Sequence, residues 1–329
     1  MKEENIRPLK LTKELMSLIE KDRKMILRKR KEFVKADCPA CQSKKHKKVF
    51  KKEGFSFSLC QSCETLFINP RPPVAILSEY YAGAESLKFW NDKVFPSSEK
   101  NRRAEIFLPR AKKVAELCQQ HKAKTDLLMD VGAGFGTFCE EIKKLSLFRE
   151  VIAVEPAHEL AETCRRKGIK VIEKPVEEVK LKEVSVITNF ELIEHLFCPE
   201  DFLKSCAKIL PKGGLLITTT PNVKGFDFLV MGKLTDNLGG PNHLNYFHIG
   251  SLSRLLKKCG FQVVESLTPG KLDAEIVRKR ILDGTLNASK NRFLKYLLVD
   301  TWEENKDDFQ RFLADNKLSS HMMIVAKKL

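Results

Sequence analysis

The sequence predicts an α/β fold: a doubly wound, mainly parallel sheet with a small cysteine-stapled ribbon ahead of it. Three observations predict this. From residue 127 onward short apolar runs alternate with helical patterns, as a sheet built from βαβ units requires. The first of those runs opens into a glycine turn, Asp130-Val-Gly-Ala-Gly-Phe-Gly136, and a helical pattern follows it. Upstream, two Cys-x-x-Cys pairs stand 18 residues apart, a spacing that suits one four-thiolate metal site.

The 329 residues are enough for a substantial core, and the net charge of +16 is unevenly spread. Residues 1–52 hold 18 Lys/Arg against 7 Asp/Glu, which leaves only +5 on the other 277. No run of about 18 apolar residues exists, and the N-terminus lacks an apolar leader core. A soluble, cytoplasmic protein with no membrane span is therefore expected, its ten cysteines reduced. Six of them (Cys118, Cys139, Cys164, Cys198, Cys206, Cys259) stand singly in regular segments, where buried thiol is the expected role.

Residues 1–36 read as a basic amphipathic helix, with Leu11, Leu15, Leu18, Ile19, Met25, Ile26 and Phe33 on one stripe and Arg28-Lys-Arg-Lys31 elsewhere. Such a face can lie on anionic lipid or nucleic acid, but more often its charge is solvated while the stripe packs on the body. Residues 37–70 read as a ribbon. Cys38, Cys41, Cys60 and Cys63 form two knuckles, and residues 47–52 and 55–59 read as short strands joined at Gly54. Four thiolates complete a tetrahedron and leave no open position, so the expected metal is a structural Zn²⁺. A redox Cys-x-x-Cys is the competitor, but two such pairs would then be coincidental.

Residues 71–124 read as a helical connector or lid. Arg102, Arg103 and Arg110 near its end read chiefly as solvated helix charge, or as contacts for an anionic substrate group. Residues 125–329 carry the main sheet. The run 127–131 suits a buried strand, and Phe138, Ile142 and Leu145 fall on one helical face. Gly132, Gly134 and Gly136 permit φ > 0 and let a ligand rest on the backbone at that helix's N-terminus. A dinucleotide fingerprint would need its third small residue at 137, which is Thr. The next run, 149–155, ends in Glu155, about 20 residues on, where a ribose-binding acid belongs. A helix over 157–167, strands at 170–173 and 184–189, a turn at Leu210-Pro-Lys-Gly-Gly214 and a strand at 215–220 follow. Two further strands, 261–266 and 321–326, flank a helical insertion. Asn189 and Phe190 then lie at a carboxyl strand end, beside the glycine turn.

The acid-x-Gly-x-Gly-x-Gly pattern resembles motif I of the class I S-adenosylmethionine (SAM)-dependent methyltransferases, and the turn before residue 215 also resembles that family. This resemblance spans about residues 125–329. It implies a Rossmann-like, seven-stranded sheet of order 3-2-1-4-5-7-6 with the last strand antiparallel. It also implies a SAM site of Asp130, Gly132, Ala133, Gly134, Gly136, Glu155, Val176 (in the adenine loop), Asn189 and Phe190. The Cys-x-x-Cys, Asn-Pro-Arg-Pro and Tyr-Tyr series is similar to that of bacterial sugar methyltransferases and of proteins encoded in surface-polysaccharide clusters.

Glu191-Leu-Ile-Glu-His195 resembles the ubiquinone-pathway O-methyltransferases and the small-RNA 2′-O-methyltransferases, where this pattern accompanies a divalent ion such as Mg²⁺. On a helix, Glu191, Glu194 and His195 would share one face. His243, in Pro241-Asn-His-Leu-Asn-Tyr-Phe247, could fold over the same pocket. His195, His243 and Glu194 are thus the candidate catalytic residues. The expectation is O-methylation of a sugar or other small hydroxylated metabolite, carbohydrate or nucleotide-sugar, by a SAM-dependent enzyme. Its rivals are an RNA methyltransferase (ribosomal or 2′-O) that binds nucleic acid through the ribbon and basic helix, and a non-catalytic SAM-binding protein, against which the intact motif argues.

Overall fold

The computed structural model describes residues 3–6, 8–289 and 291–329. Its strands are β1 (His46–Lys52), β2 (Phe55–Cys60), β3 (Leu66–Ile68), β4 (Leu127–Val131), β5 (Glu150–Val154), β6 (Lys170–Ile172), β7 (Val186–Phe190), β8 (Leu215–Pro221), β9 (Asn245–Tyr246), β10 (Phe261–Leu267) and β11 (His321–Lys328). Seven of them make the main sheet, in the order β10-β11-β8-β7-β4-β5-β6. β4 pairs parallel with β5 and β7, and the parallel set extends to β6 and β8. β11 runs antiparallel to both β8 and β10. Counted within this sheet alone, that is the expected order 3-2-1-4-5-7-6.

Helices cover both faces, so alternate residues of each strand enter two different cores. Met129, Ile187, Leu216 and Ile324 pack with Phe202 and Leu252 on one side. Their neighbours Leu128, Val186, Ile217 and Val325 pack with Leu117, Phe138 and Ile142 on the other. Near-continuous apolar strands are the sequence consequence of this two-sided burial. Between β10 and β11 the insertion consists of Asp273–Leu282, Arg292–Lys295, Tyr296–Asp300 and Trp302–Asp315, which share a small core around Val277, Leu298 and Leu313.

The ribbon sheet has the order β1-β2-β3-β9. Its fourth strand comes from the segment after β8, pairing Phe67 with Asn245 and Leu66 with Tyr246. Cys38, Cys60 and Phe67 belong to the same apolar cluster as Phe202, Leu252 and Leu256 of the main body. The helix Leu9–Arg28 packs its stripe here too: Ile26 is buried with Phe55, Phe57 and Tyr80, and Leu27 covers Gly54. The Asp22 carboxylate accepts from the amides of Glu85 (3.1 Å) and Ser86 (2.8 Å), capping the next helix. Met25, counted on the stripe, is exposed.

Three further expectations are corrected. Cys198 is exposed, at the N-terminal edge of the helix Pro199–Ile209, whereas the other five single cysteines are buried. No helix forms over Glu191–His195: Glu191 takes φ +52°, a left-handed conformation that no α-helix accepts, and the segment turns until Pro199 starts one. The connector arginines are not simply solvated. Arg103 joins Glu140 (2.7 Å) and Glu141 (2.6 Å), Arg102 lies on the Trp90 ring (4.8 Å), and Arg110 lies on the Phe190 ring (4.5 Å).

Candidate active site

The carboxyl ends of β4, β5, β7 and β8 bring the predicted ligand residues to one edge of the sheet. Register sets Asp130 opposite Ala153 and Thr188, Asn189 opposite Thr218, and Phe190 opposite Thr219. Buried Asp130 accepts from the Thr188 hydroxyl at 2.7 Å. Burial pushes its carboxyl up to about 7, against the lowering effect of that hydrogen bond and of Arg110.

Gly132, Gly134 and Gly136 all have positive φ, and their surroundings divide their roles. A Cβ on Gly136 would meet Ile169 Cδ1 at 2.8 Å and Cys164 Sγ at 2.9 Å, and one on Gly132 would meet Leu192 at 3.0 Å. One on Gly134 would meet nothing within 4 Å. Two glycines let the turn close against Leu192, Cys164 and Ile169, and the third leaves an open backbone face for a ligand. Ala133 lies between them, its amide 3.4 Å from the Val154 carbonyl.

Glu155 is buried at the end of β5, accepting from the amides of Gly134 (2.8 Å) and Ala157 (3.0 Å). Burial raises its pKa while those two amides lower it. Each carboxylate oxygen keeps a second lone pair, so the group can still accept from vicinal ribose hydroxyls. Buried Val176 starts the 3₁₀ turn Val176–Glu178 beyond β6. Asn189 accepts from Thr218 (2.6 Å), and its buried Nδ2 has no partner among the described residues. Phe190 sits edge-on to Phe138, ring centroids 4.7 Å apart. The donor set, the open glycine face and the unpaired amide together fit a nucleoside ligand such as SAM.

Beyond β7 the turn 191–197 carries the second half of the site. Glu194, His195 and His243 converge, their candidate ligand atoms within 4.8 Å of one another. The two imidazoles are edge to face with centroids 4.7 Å apart. His195 Nδ1 lies 2.8 Å from the Asn242 carbonyl, and His243 Nδ1 lies 3.2 Å from that of Asn237. A carbonyl only accepts, so each Nδ1 carries the proton and each Nε2 keeps a lone pair. Burial lowers the pKa of His195, and lowers that of His243 to about 3 with help from His195. Glu194 is fully enclosed: Oε2 accepts from Thr220 at 2.8 Å, while Oε1 has no hydrogen-bond partner among the described residues and lies 3.9 Å from His195 Nε2. Burial, then the Glu191 charge, pushes it up to about 8.

Glu191 points elsewhere. It accepts from Thr219 (2.7 Å) and pairs with His321 (3.3 Å), the first residue of β11. Against the raising effect of burial, His321 and Arg110 hold it near 2; against the lowering effect of burial, Glu191 holds His321 at about 9. This ion pair explains why three members of the predicted quartet meet and the fourth does not.

Residues 99–266, half of the chain, match the family described as "Methyltransferase domain". The chain belongs to this family. The chain is 33% identical over 89 residues to a Mycolicibacterium smegmatis protein named "Probable S-adenosylmethionine-dependent methyltransferase", covering 26% of this chain and 31% of that one. It is 30% identical over 104 residues to a ubiquinone biosynthesis O-methyltransferase of Caulobacter sp., covering 29% and 40%. It thus spans less than half the length of these curated relatives. A solved SAM-dependent methyltransferase from Clostridium acetobutylicum is similar at TM-score 0.45 and 11% identity, covering 69% of this chain and 94% of that one.

In the ribbon, the sulfurs of Cys38 and Cys63 are 3.5 Å apart and those of Cys41 and Cys60 are 3.6 Å apart. A tetrahedral ZnS₄ centre with 2.3 Å bonds has edges of about 3.8 Å, so the cluster is already close to zinc geometry. The Ser62 amide points at Cys60 Sγ (3.4 Å), a contact within the second knuckle.

Several contributors had no signal in the sequence. Phe95, from the connector, stacks on Phe135 of the glycine turn at 3.7 Å with planes 4° apart. His321 beside Glu191 and Asn245 behind Glu194 are likewise brought in from remote segments. No spacing rule could find them, because each is joined to the site only by tertiary contact.

Proposed function

We propose that this protein transfers the methyl group of SAM to a hydroxyl of a small polyhydroxylated acceptor, a sugar or nucleotide sugar. The observation that carries this is the His195 imidazole, locked by the Asn242 carbonyl with a free Nε2 lone pair beside Glu194 and His243. An alcohol is a poor nucleophile until its proton is taken, and a neutral, oriented imidazole supplies that step. SAM, when bound, supplies an electrophilic methyl on a sulfonium. The acceptor oxygen then bonds to the methyl carbon as the carbon–sulfur bond breaks, with the electron pair going to sulfur and the hydroxyl proton to His195 Nε2. Holding the two reactants in line can supply on the order of 7–11 kcal/mol. The O-methyltransferase name of one relative agrees with the choice of oxygen. The resemblance of the series Asn69-Pro-Arg-Pro72 and Tyr80-Tyr81 to that of bacterial sugar methyltransferases favours a sugar.

The same three side chains could instead hold a divalent ion that lowers the hydroxyl pKa, and the unpartnered Glu194 oxygen favours keeping this second mechanism in view. One carboxylate and two imidazoles suit a transition metal better than Mg²⁺, which prefers oxygen ligands.

The test is methyl transfer from labelled SAM to a panel of sugars, nucleotide sugars, phenols and RNA. Methylation of a small carbohydrate is expected. RNA labelled in preference to every small acceptor would overturn the substrate class. Four cations of the basic segment are already paired with carboxylates: Lys21 with Glu85, Arg23 with Glu53, Lys24 with Glu20 and Lys29 with Glu79. RNA binding should therefore be weak, unspecific and lost steeply with salt. No helix among the described residues is long and apolar enough to cross a membrane.

We further propose that Cys38, Cys41, Cys60 and Cys63 hold one structural zinc. Four thiolates and Zn²⁺ carry a net charge of −2, which offsets part of the basic N-terminus. Elemental analysis of protein prepared without chelators should find about one zinc per chain, and Cys38→Ser or Cys63→Ser should lower both zinc content and soluble yield. Native protein without zinc, its four thiols freely titratable, would contradict this.

A further inference from the structure

The ribbon is tied to the turn that bears Glu194 and His195 by a chain of buried hydrogen bonds. Arg71, in the segment just after β3, is 1% exposed although it is an arginine. Its Nη1 donates to the Phe197 carbonyl (3.2 Å) and to Asn245 Oδ1 (3.3 Å), and its guanidinium sits 5.7 Å from the ring centroids of both Phe67 and Phe197. Asn245 is fully buried, and its Nδ2 lies within reach of the carbonyls of Leu196 (2.7 Å), Glu194 (3.3 Å) and Ile193 (3.4 Å). The Glu194 carbonyl also accepts from the amides of Leu244 (2.9 Å) and Asn245 (3.0 Å). Those two residues are in turn held to the ribbon by β3–β9 pairing and by the Ile68 amide on the Leu244 carbonyl at 2.9 Å.

We infer that Arg71 and Asn245 are positioning residues: the ribbon clamps the backbone of the Glu194–His195 turn and so sets where the His195 imidazole stands. The inference rests on His195 acting in the proposed reaction, but the clamp itself does not depend on which acceptor is used. Three features support it. Burying an arginine with no carboxylate partner is costly, and a position that only needed filling would be better served by an apolar side chain. Asn245 matches the carbonyls of the turn with donors on one side and the guanidinium with an acceptor on the other, which neither Asp nor Leu can do. His195 is held by Asn242, three residues before Asn245 on the same clamped segment, so a shift of that segment moves the imidazole with it.

The test uses the full zinc-containing chain with Asn245→Asp, Arg71→Gln and Arg71→Lys. Asn245→Asp keeps size and the Arg71 contact but removes the donor to the turn. It should lower kcat on the order of 10²-fold, as misplacement of a reacting group by about 1 Å does, with SAM affinity and zinc content unchanged. The hydrogen-bonded Nδ1–H resonance of His195 should move or vanish in the same protein without acceptor. Arg71→Gln should do likewise, and Arg71→Lys, which keeps a cationic donor, should recover part of both signals. A His195 spectrum unchanged in folded Asn245→Asp and Arg71→Gln would overturn the clamp, whatever the acceptor proves to be. If the resonance moves while no acceptor is ever methylated, the clamp stands and the proposed reaction falls. Should Arg71→Gln not fold, the near-isosteric Asn245→Asp decides by the same readouts.

Discussion

Replacing His195 by alanine should lower kcat by about 10²–10⁴ while SAM binding, measured by calorimetry, is retained. The Asn242 carbonyl fixes the tautomer of the His195 imidazole and leaves Nε2 able to accept a proton. His243, held down to about 3, is a much weaker proton acceptor, so His243→Ala should cost less. The pH dependence follows from the sign of the shift. Burial lowers the pKa of His195, so the ring stays neutral, and able to accept a proton, below the ordinary imidazole value of 6.5. The rate should therefore hold through neutrality and fall as pH drops below 6.5. A base mechanism should survive chelation. A metal held by Glu194, His195 and His243 should instead give activity lost to a chelator that spares the thiolate site, restored by a transition-metal ion, and damaged alike by all three substitutions. Near-normal turnover in both single histidine variants and in the double variant would show that the pair merely packs the site.

Gly134→Val is expected to weaken SAM binding by about 100-fold or more, equivalent to roughly 2.7 kcal/mol. The substituted side chain would project into the space that no protein atom occupies within 4 Å, which the proposed site gives to the ligand, and φ of +55° is strained for a β-branched residue. The same change at Gly136 would act differently, striking Ile169 and Cys164 and destabilising the fold itself. A fall in melting temperature should therefore dominate at 136 and a loss of affinity at 134. Glu155→Ala should weaken binding too, by removing the ribose acceptor and by freeing the Gly134 and Ala157 amides it now holds. Calorimetry with SAM, its demethylated product and NAD decides the matter: tighter binding of NAD than of SAM would sink the cofactor assignment.

What could be read from the chain was whatever is local or periodic. The apolar strands, the Gly132–Gly136 turn, the acid at 155 and the two cysteine pairs declare themselves because each depends on backbone conformation or fixed ligand spacing within a short stretch. The strand order was legible only through the family resemblance, and the sheet bears it out. The turn at 191–195 misleads for a physical reason: three-and-four spacing promises a shared helical face, but left-handed Glu191 and its ion pair with His321, 130 residues away, replace that helix by a turn. Tertiary structure alone decided that Glu194, His195 and His243 meet while Glu191 does not. It alone gave the ribbon a fourth strand from the segment beyond β8, and buried Arg71 between Phe67 and Phe197. Such contacts depend on which surfaces remain after the sheet has assembled, and burial and ion pairing together then set the charge states, which no spacing along the chain encodes.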